Sequence, residues 1–185
     1  MPREPRIKVE RRAVHGVLLL DKPLGLSSND ALQKAKWLLR ALKAGHTGTL
    51  DPMASGLLPL CFGAATKFSQ VSLDADKTYE AVVQLGVQTT TGDSEGEVVE
   101  RREVSFDDTQ LTAALASLTG EIDQVPPMHS ALKKDGKPLY TYAREGVTVE
   151  RAARRVTIHE LKARRDPLEA SRLHLTVRCS KGTYI

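Results

Sequence analysis

Apolar and polar positions recur with different periods along the chain, and each period predicts an element. The apolar run in GVLLLDKP reads as a strand that ends at Pro23. Leu32, Ala35, Leu38, Leu39 and Leu42 then recur at helical spacing, which predicts an amphipathic helix over 29–43 with Ser28 or Asn29 as its N-cap. LLPLCFGAATKFSQVSL predicts a short apolar strand followed by a brief helix. In KTYEAVVQLG the period drops to two, placing Tyr79, Ala81, Val83 and Leu85 on one face. EVVERREV is expected to return beside that strand through the turn-rich TTTGDSEG. Ser105 with Asp108 predicts the start of a second amphipathic helix, which turns Leu111, Ala114, Leu115 and Leu118 inward and stops at Gly120. ARRVTIHELKARR and SRLHLTVRCS predict two more strands, the second with Leu173, Leu175, Val177 and Cys179 on one face. Hairpin strands with few helices indicate an α+β fold built on a mixed, largely antiparallel sheet flanked by helices.

Two segments break these rhythms. GHTGTLDPMASG, residues 45–56, holds three glycines and a proline and reads as a shaped loop. Its glycines let the backbone turn sharply and approach a ligand, and Pro52 biases Asp51 toward an extended conformation. An acid held in this way suits a nucleophile or general base, and it equally suits a turn or helix-cap residue. His46 has the same two readings, structural or functional. The second segment, MHSALKKDGKPLYTYAREGVTVE, is basic and carries Tyr140 and Tyr142. Basic side chains interleaved with aromatics can follow a phosphate backbone and stack on bases, or they can form an ordinary surface loop.

Composition narrows the class. The chain has 185 residues, 41% of them hydrophobic and 27% charged, enough for one sizeable core. No apolar run is long enough to span a bilayer, and MPREPRIKVERR lacks the apolar centre of a signal peptide, so a cytoplasmic protein without membrane contact is expected. Cys61 and Cys179 are too few for a disulfide framework or a cysteine-based zinc site, and both sit in apolar, strand-like runs that suit packing. The net charge of +4 is unevenly spread. Residues 1–12 form a basic arm of local charge +3, 74–123 carry −9, and 133–165 carry +6. Basic blocks of this kind suit an anionic partner, because lysine and arginine at phosphates release counterions.

Other chemistries match poorly. LDADKT fits the D-x-D-x-T pattern of aspartyl phosphatases, yet KFSQVS before it is not the strongly hydrophobic strand that pattern follows. TTTGDSEG lacks the twelve-residue calcium-loop ligand pattern. There is no P-loop, dinucleotide fingerprint, HExxH or nucleophile-elbow serine, and the five histidines have no metal-ligand spacing.

Five pieces in order point to one family. GVLLLDKPLGLSSNDALQKAK, GHTGTLDPMASGLLPLCFGAATKFSQ, LDADKTYEAVVQLG, PPMHSALKKDGKPLYTYAREG and CSKGTYI together closely resemble the bacterial tRNA pseudouridine-55 synthases, the TruB family, over nearly the whole chain from Val14 onward. The resemblance implies isomerisation of a uridine in the T loop of tRNA on a flipped-out base, with no metal or organic cofactor. It places the catalytic aspartate at Asp51 and nucleotide contact at His46. Tyr79 would stack on the target base and Tyr184 would be a second site aromatic. Lys22 and Lys67 would support the catalytic loop or contact phosphate. The segment 128–155 would be an RNA-clamping insertion in a catalytic domain spanning 14–185, after a basic arm at 1–13, and the protein would act as a monomer on the T arm. In the family an arginine that pairs with the catalytic carboxylate follows the position of Ile185, then the rest of the catalytic domain and a PUA RNA-binding domain. The sequence is therefore expected to be an incomplete catalytic domain, and turnover by these 185 residues alone is not implied. A non-catalytic RNA-binding module or tRNA chaperone is the alternative, using the basic segment and the tyrosines but not Asp51.

Overall fold

The computed structural model describes residues 10–185. Most of the basic arm expected at 1–13 lies outside the described residues. Of its last four, Arg12 donates its backbone N–H to Arg40 and its Nε to Leu39. Two compact units form, one ending at Ala75 and the other spanning Asp76–Ile185.

The first unit is built on a three-stranded antiparallel sheet, in the order β1 (Gly16–Lys22), β3 (Gly56–Phe62), β2 (Ala44–His46). Leu58, Leu60 and Phe62 of β3 form the core with Ala31 and Leu32 of helix α1 (Ser28–Leu38) and with Ala41. A 3-10 turn at Gly63–Phe68 and helix α2 (Ser69–Asp74) follow β3, as the sequence predicts.

Helix α1 is shorter than the expected 29–43, and its N-cap is Ser27, whose hydroxyl accepts the N–H of Asp30. Arg40 adopts a left-handed φ of 51°, and two bonds, Ala41 N–H to Lys36 and Arg40 N–H to Trp37, close a Schellman end. An arginine occupies the position that usually signals itself as glycine. The apolar stripe therefore runs past the helix, leaving Leu42 57% exposed, and Leu38, the last helical residue, is itself 64% exposed.

The second unit is a four-stranded antiparallel sheet, in the order β4 (Lys77–Gln84), β11 (Arg172–Cys179), β10 (Arg154–Arg165), β7 (Gly120–Gln124). Ile158, Val177 and Cys179 form its core, with Tyr79, Ile122, Leu161 and Leu175 packed around them. The period-two reading of β4 matches burial that alternates along it.

The return strand does not pair with β4. Residues Val98–Arg101 (β6) pair with β5 (Val87–Thr89) in a separate ribbon, because the chain breaks at Gly86. There φ is +74°, and a Cβ would collide with the carbonyl oxygen of Arg102. Helix α3 (Asp108–Ser117) is capped by Asp107 with Gln110 in a reciprocal capping box, not by the expected Ser105 and Asp108. On it Leu111 and Leu115 are half-buried, whereas Ala114 and Leu118 face solvent. The fold class is the expected one, α+β with antiparallel pairing in every sheet. Among the described residues, no helix is long and apolar enough to cross a membrane.

Candidate active site

Asp51 lies in the connection from β2 to β3, the loop singled out by its glycines and proline. Buried polar groups fix its backbone from several sides. Ser28, the buried first residue of α1, accepts the N–H of Leu50 at 2.8 Å and donates its hydroxyl to the carbonyl of Leu50 at 3.0 Å. Thr47, also buried, donates its N–H to Pro59. Ala54 donates to the carbonyl of Asp51 at 3.0 Å, and Gly25 donates to that of Pro52 at 2.8 Å. The Asp51 side chain is exposed, and no described hydrogen bond or ion pair ends on its carboxylate. A fixed backbone beneath a free carboxylate is what a preorganised nucleophile or base requires.

Lys22 belongs to the same assembly but not as a surface cation. It is 0% exposed, and its Nζ donates to the carbonyls of Pro23 at 3.0 Å and Leu26 at 2.7 Å. The ammonium folds the 23–26 turn around itself, and Gly25 of that turn (φ +81°) reaches Pro52, next to Asp51. A charge so deeply buried is tolerated only when hydrogen-bonded. Its geometry suits support of the loop, and burial leaves no route to a phosphate.

His46, on β2 opposite Leu60, is half-buried, and its Nδ1 is buried without a hydrogen-bond partner among the described residues. Lys67 is exposed on the 3-10 turn, open to an anion.

In the second unit Tyr79 stands on the inward face of β4, opposite Val177. Burial, and to a lesser degree Cys179, pushes its phenol above the usual tyrosine range. Burial likewise raises the Cys179 thiol, which packs as expected. Tyr184 follows β11 and is half-buried. Its backbone is held by a residue the sequence reading missed: Gln124, at the end of β7, accepts the Tyr184 N–H at 2.8 Å and donates to its carbonyl at 2.8 Å. The two tyrosines thus attach to opposite edges of the sheet, Tyr79 on β4 and Tyr184 at β7.

The basic segment at 128–155 is more than a loop. A two-residue hairpin, β8 (Lys133–Lys134) with β9 (Lys137–Pro138), leads into a short helix α4 (Leu139–Arg144) anchored by buried Leu139. Lys137 lies 4.5 Å from the centre of the Tyr142 ring, and Arg144 5.4 Å from that of Tyr140. The phosphatase-like motif is otherwise engaged: Asp76 is paired with His159 at 3.1 Å and Arg178 at 3.5 Å.

Residues 36–185 match the family model described as TruB family pseudouridylate synthase (N terminal domain). The chain belongs to the TruB family. It is 72% identical to tRNA pseudouridine synthase B of Cupriavidus pinatubonensis, covering 99% of this chain and 58% of that protein. It is 68% identical to the protein of the same name from Ralstonia pickettii, covering 96% and 57%. The chain thus spans less than two thirds of the relatives it matches. Among solved structures, a chain in the crystal structure of a Cbf5-Nop10-Gar1 complex superposes with a TM-score of 0.68 at 29% identity, over 92% of this chain and 41% of that one. A chain in an H/ACA RNP bound to a substrate RNA containing 2′-deoxyuridine gives 0.63 at 25%. As a family member the chain carries a pseudouridine synthase fold, consistent with the antiparallel sheets and few helices described above.

Proposed function

We propose that this chain provides the aspartate-bearing part of an enzyme that converts uridine to pseudouridine at position 55 in the T loop of tRNA. One observation carries the reading: the Asp51 side chain is exposed, with no partner on its carboxylate among the described residues, while buried Ser28, Lys22 and their partners fix the backbone on both sides of it. The names of the relatives, tRNA pseudouridine synthase B, support the substrate class.

In the reaction the bond from C1′ to N1 of the base breaks, the base turns, and C1′ bonds to C5. The proton leaves C5 and N1 gains one, so the change is an isomerisation. Asp51 acts at the sugar or the base of the flipped nucleotide, and a single carboxylate suffices. Flipping costs a few kcal/mol of stacking, and each aromatic contact returns ~1–3 kcal/mol. Tyr79 and Tyr184 are the aromatics assigned to that contact. His46 is assigned to a nucleotide of the T loop and exposed Lys67 to phosphate, with Lys22 supporting the loop. Residues 128–155 clamp the T arm through shape, stacking and phosphate contacts. Both units are parts of one catalytic domain, and the protein works in the cytoplasm as a monomer.

The test uses T-arm RNA carrying tritium at C5 of the target uridine, in EDTA, with a chain of the relatives' full length. The reading predicts tritium release by the wild type and at least ~10³-fold slower release by Asp51→Asn, with RNA affinity within about twofold. Binding without release by any version would leave the non-catalytic RNA-binding module as the better account.

A further inference from the structure

The last residue of β7 carries an unusual burden. Burial along β7 alternates, and Gly120, Ile122 and Gln124 share the less exposed face. Ile122 joins the apolar core from that face, and at Gln124 an amide stands where an apolar side chain would be expected. A primary amide turned inward is retained only when its donor and acceptor are both used. Here both go to one peptide unit pair: Oε1 takes the N–H of Tyr184, and Nε2 gives to the carbonyl of Tyr184, each at 2.8 Å. Two parallel bonds to one residue fix both its position and its rotation, and with them the direction in which its side chain leaves the backbone. Tyr184 lies beyond β11, where no strand supplies ladder bonds. Upstream, Ser180 and Thr157 bond reciprocally, so the segment from β11 to Tyr184 is held at both ends.

Gln124 also stands where the basic insertion begins and ends. It pairs in register with Arg154, the first residue of β10 and the point at which the chain returns from the insertion. Two residues beyond Gln124, the carbonyl of Pro126 accepts Nη1 of Arg151 at 3.0 Å, which ties the outgoing and returning limbs together. Two buried polar atoms near this root, Ser130 Oγ and Arg151 Nε, have no partner among the described residues.

We propose that Gln124 is a positioning residue that sets the Tyr184 ring and makes its placement depend on the root of the basic insertion. The proposal rests on the assignment of Tyr184 to the nucleotide site. Through this amide, any shift of the outgoing limb when RNA is clamped is passed to the backbone of Tyr184.

The experiment compares wild type, Gln124→Met, Tyr184→Ala and the double variant in a chain of the relatives' full length. Methionine keeps the shape of the side chain and removes both bonds. Gln124→Met is expected to slow single-turnover tritium release at least tenfold, leave RNA Kd within twofold, and speed amide exchange at Tyr184 at least tenfold. In the Tyr184→Ala background the same substitution is expected to change the rate less than twofold, because its effect travels through Tyr184. An equal slowing in both backgrounds, or a loss of rate matched by loss of RNA affinity, overturns the proposal. If the wild type releases no tritium, the proposed reaction falls. The clamp is then decided by exchange at Tyr184: faster exchange in Gln124→Met upholds it and unchanged exchange overturns it.

Discussion

The Asp51 loop and the basic insertion are both punctuated, irregular stretches, yet they are built in opposite ways. The loop is held from beneath by buried Ser28 on both backbone groups of Leu50 and buried Lys22 inside the 23–26 turn, and by the backbone bond of Gly25 to Pro52. Outside buried Leu139, the insertion is held largely by exposed and half-buried charges and rings, Lys137 with Glu145 and Tyr142, and Arg144 with Tyr140, and at its root two buried polar atoms have no partner among the described residues. On the proposed reading, catalysis needs a carboxylate that does not move, and its support is redundant and partly desolvated. On the same reading, gripping a folded RNA needs surface that can exchange partners, and contacts that solvent partly screens suit it. Irregular backbone is therefore no guide to rigidity, and the burial of the polar groups that pin it is.

The comparison breaks most visibly at Lys22. Lys22→Met takes the donor from the carbonyls of Pro23 and Leu26 inside the turn, and an unfolding free energy lower by ~1–3 kcal/mol is expected in urea titration. A smaller effect is expected at Ser28, where Ser28→Ala removes both bonds to Leu50 and costs about 1–2 kcal/mol, with tritium release slowed as well because the loop carrying Asp51 loosens. In the insertion the pattern should reverse. Replacing exposed Lys133 and Lys134 with alanine should leave stability within about 0.5 kcal/mol. The slope of log Kd for T-arm RNA against log salt should nevertheless fall by roughly 1.4–1.8.

The smallest effect concerns neither region and sharpens the contrast by showing what an ordinary partly buried pair does. His174 Nε2 lies 2.7 Å from Asp166 Oδ2, and the N–H groups of Leu168 and Glu169 bond to the same side chain. The bond from His174, followed by that from Leu168, holds the Asp166 carboxyl below the usual aspartate range. A depressed acid stabilises the fold above its unfolded pKa of about 4, and the contribution is lost as pH falls through the folded value. Asp166→Asn should therefore be less stable than the wild type above about pH 4, with the gap closing below it in denaturant titrations.

Much of this was legible in the sequence. Glycines and Pro52 marked the Asp51 loop, and strict alternation marked β4 and β11, because burial on one face writes itself directly into residue type. What escaped did so for identifiable reasons. Arg40 ends α1 in a conformation usually advertised by glycine, so the apolar stripe continued into residues the helix never reaches. The strand β7 reads GEIDQ, too polar and short to register as a strand. Lys22 looks like a surface lysine because only the fold shows that two carbonyls close over it. Gln124 escaped because its partners are backbone groups sixty residues away, which leave no trace in side-chain pattern.

Hydrogen exchange resolved by residue, on the free protein and on its complex with T-arm RNA, tests the contrast most directly. The account predicts that the amides of Gly25, Leu50 and Ala54 are protected already in the free protein and change little with RNA, while amides across 128–150 gain protection only in the complex. If the Asp51 loop exchanges as fast as the insertion in the free protein and both become protected together on RNA, the carboxylate is not preorganised and the account is wrong.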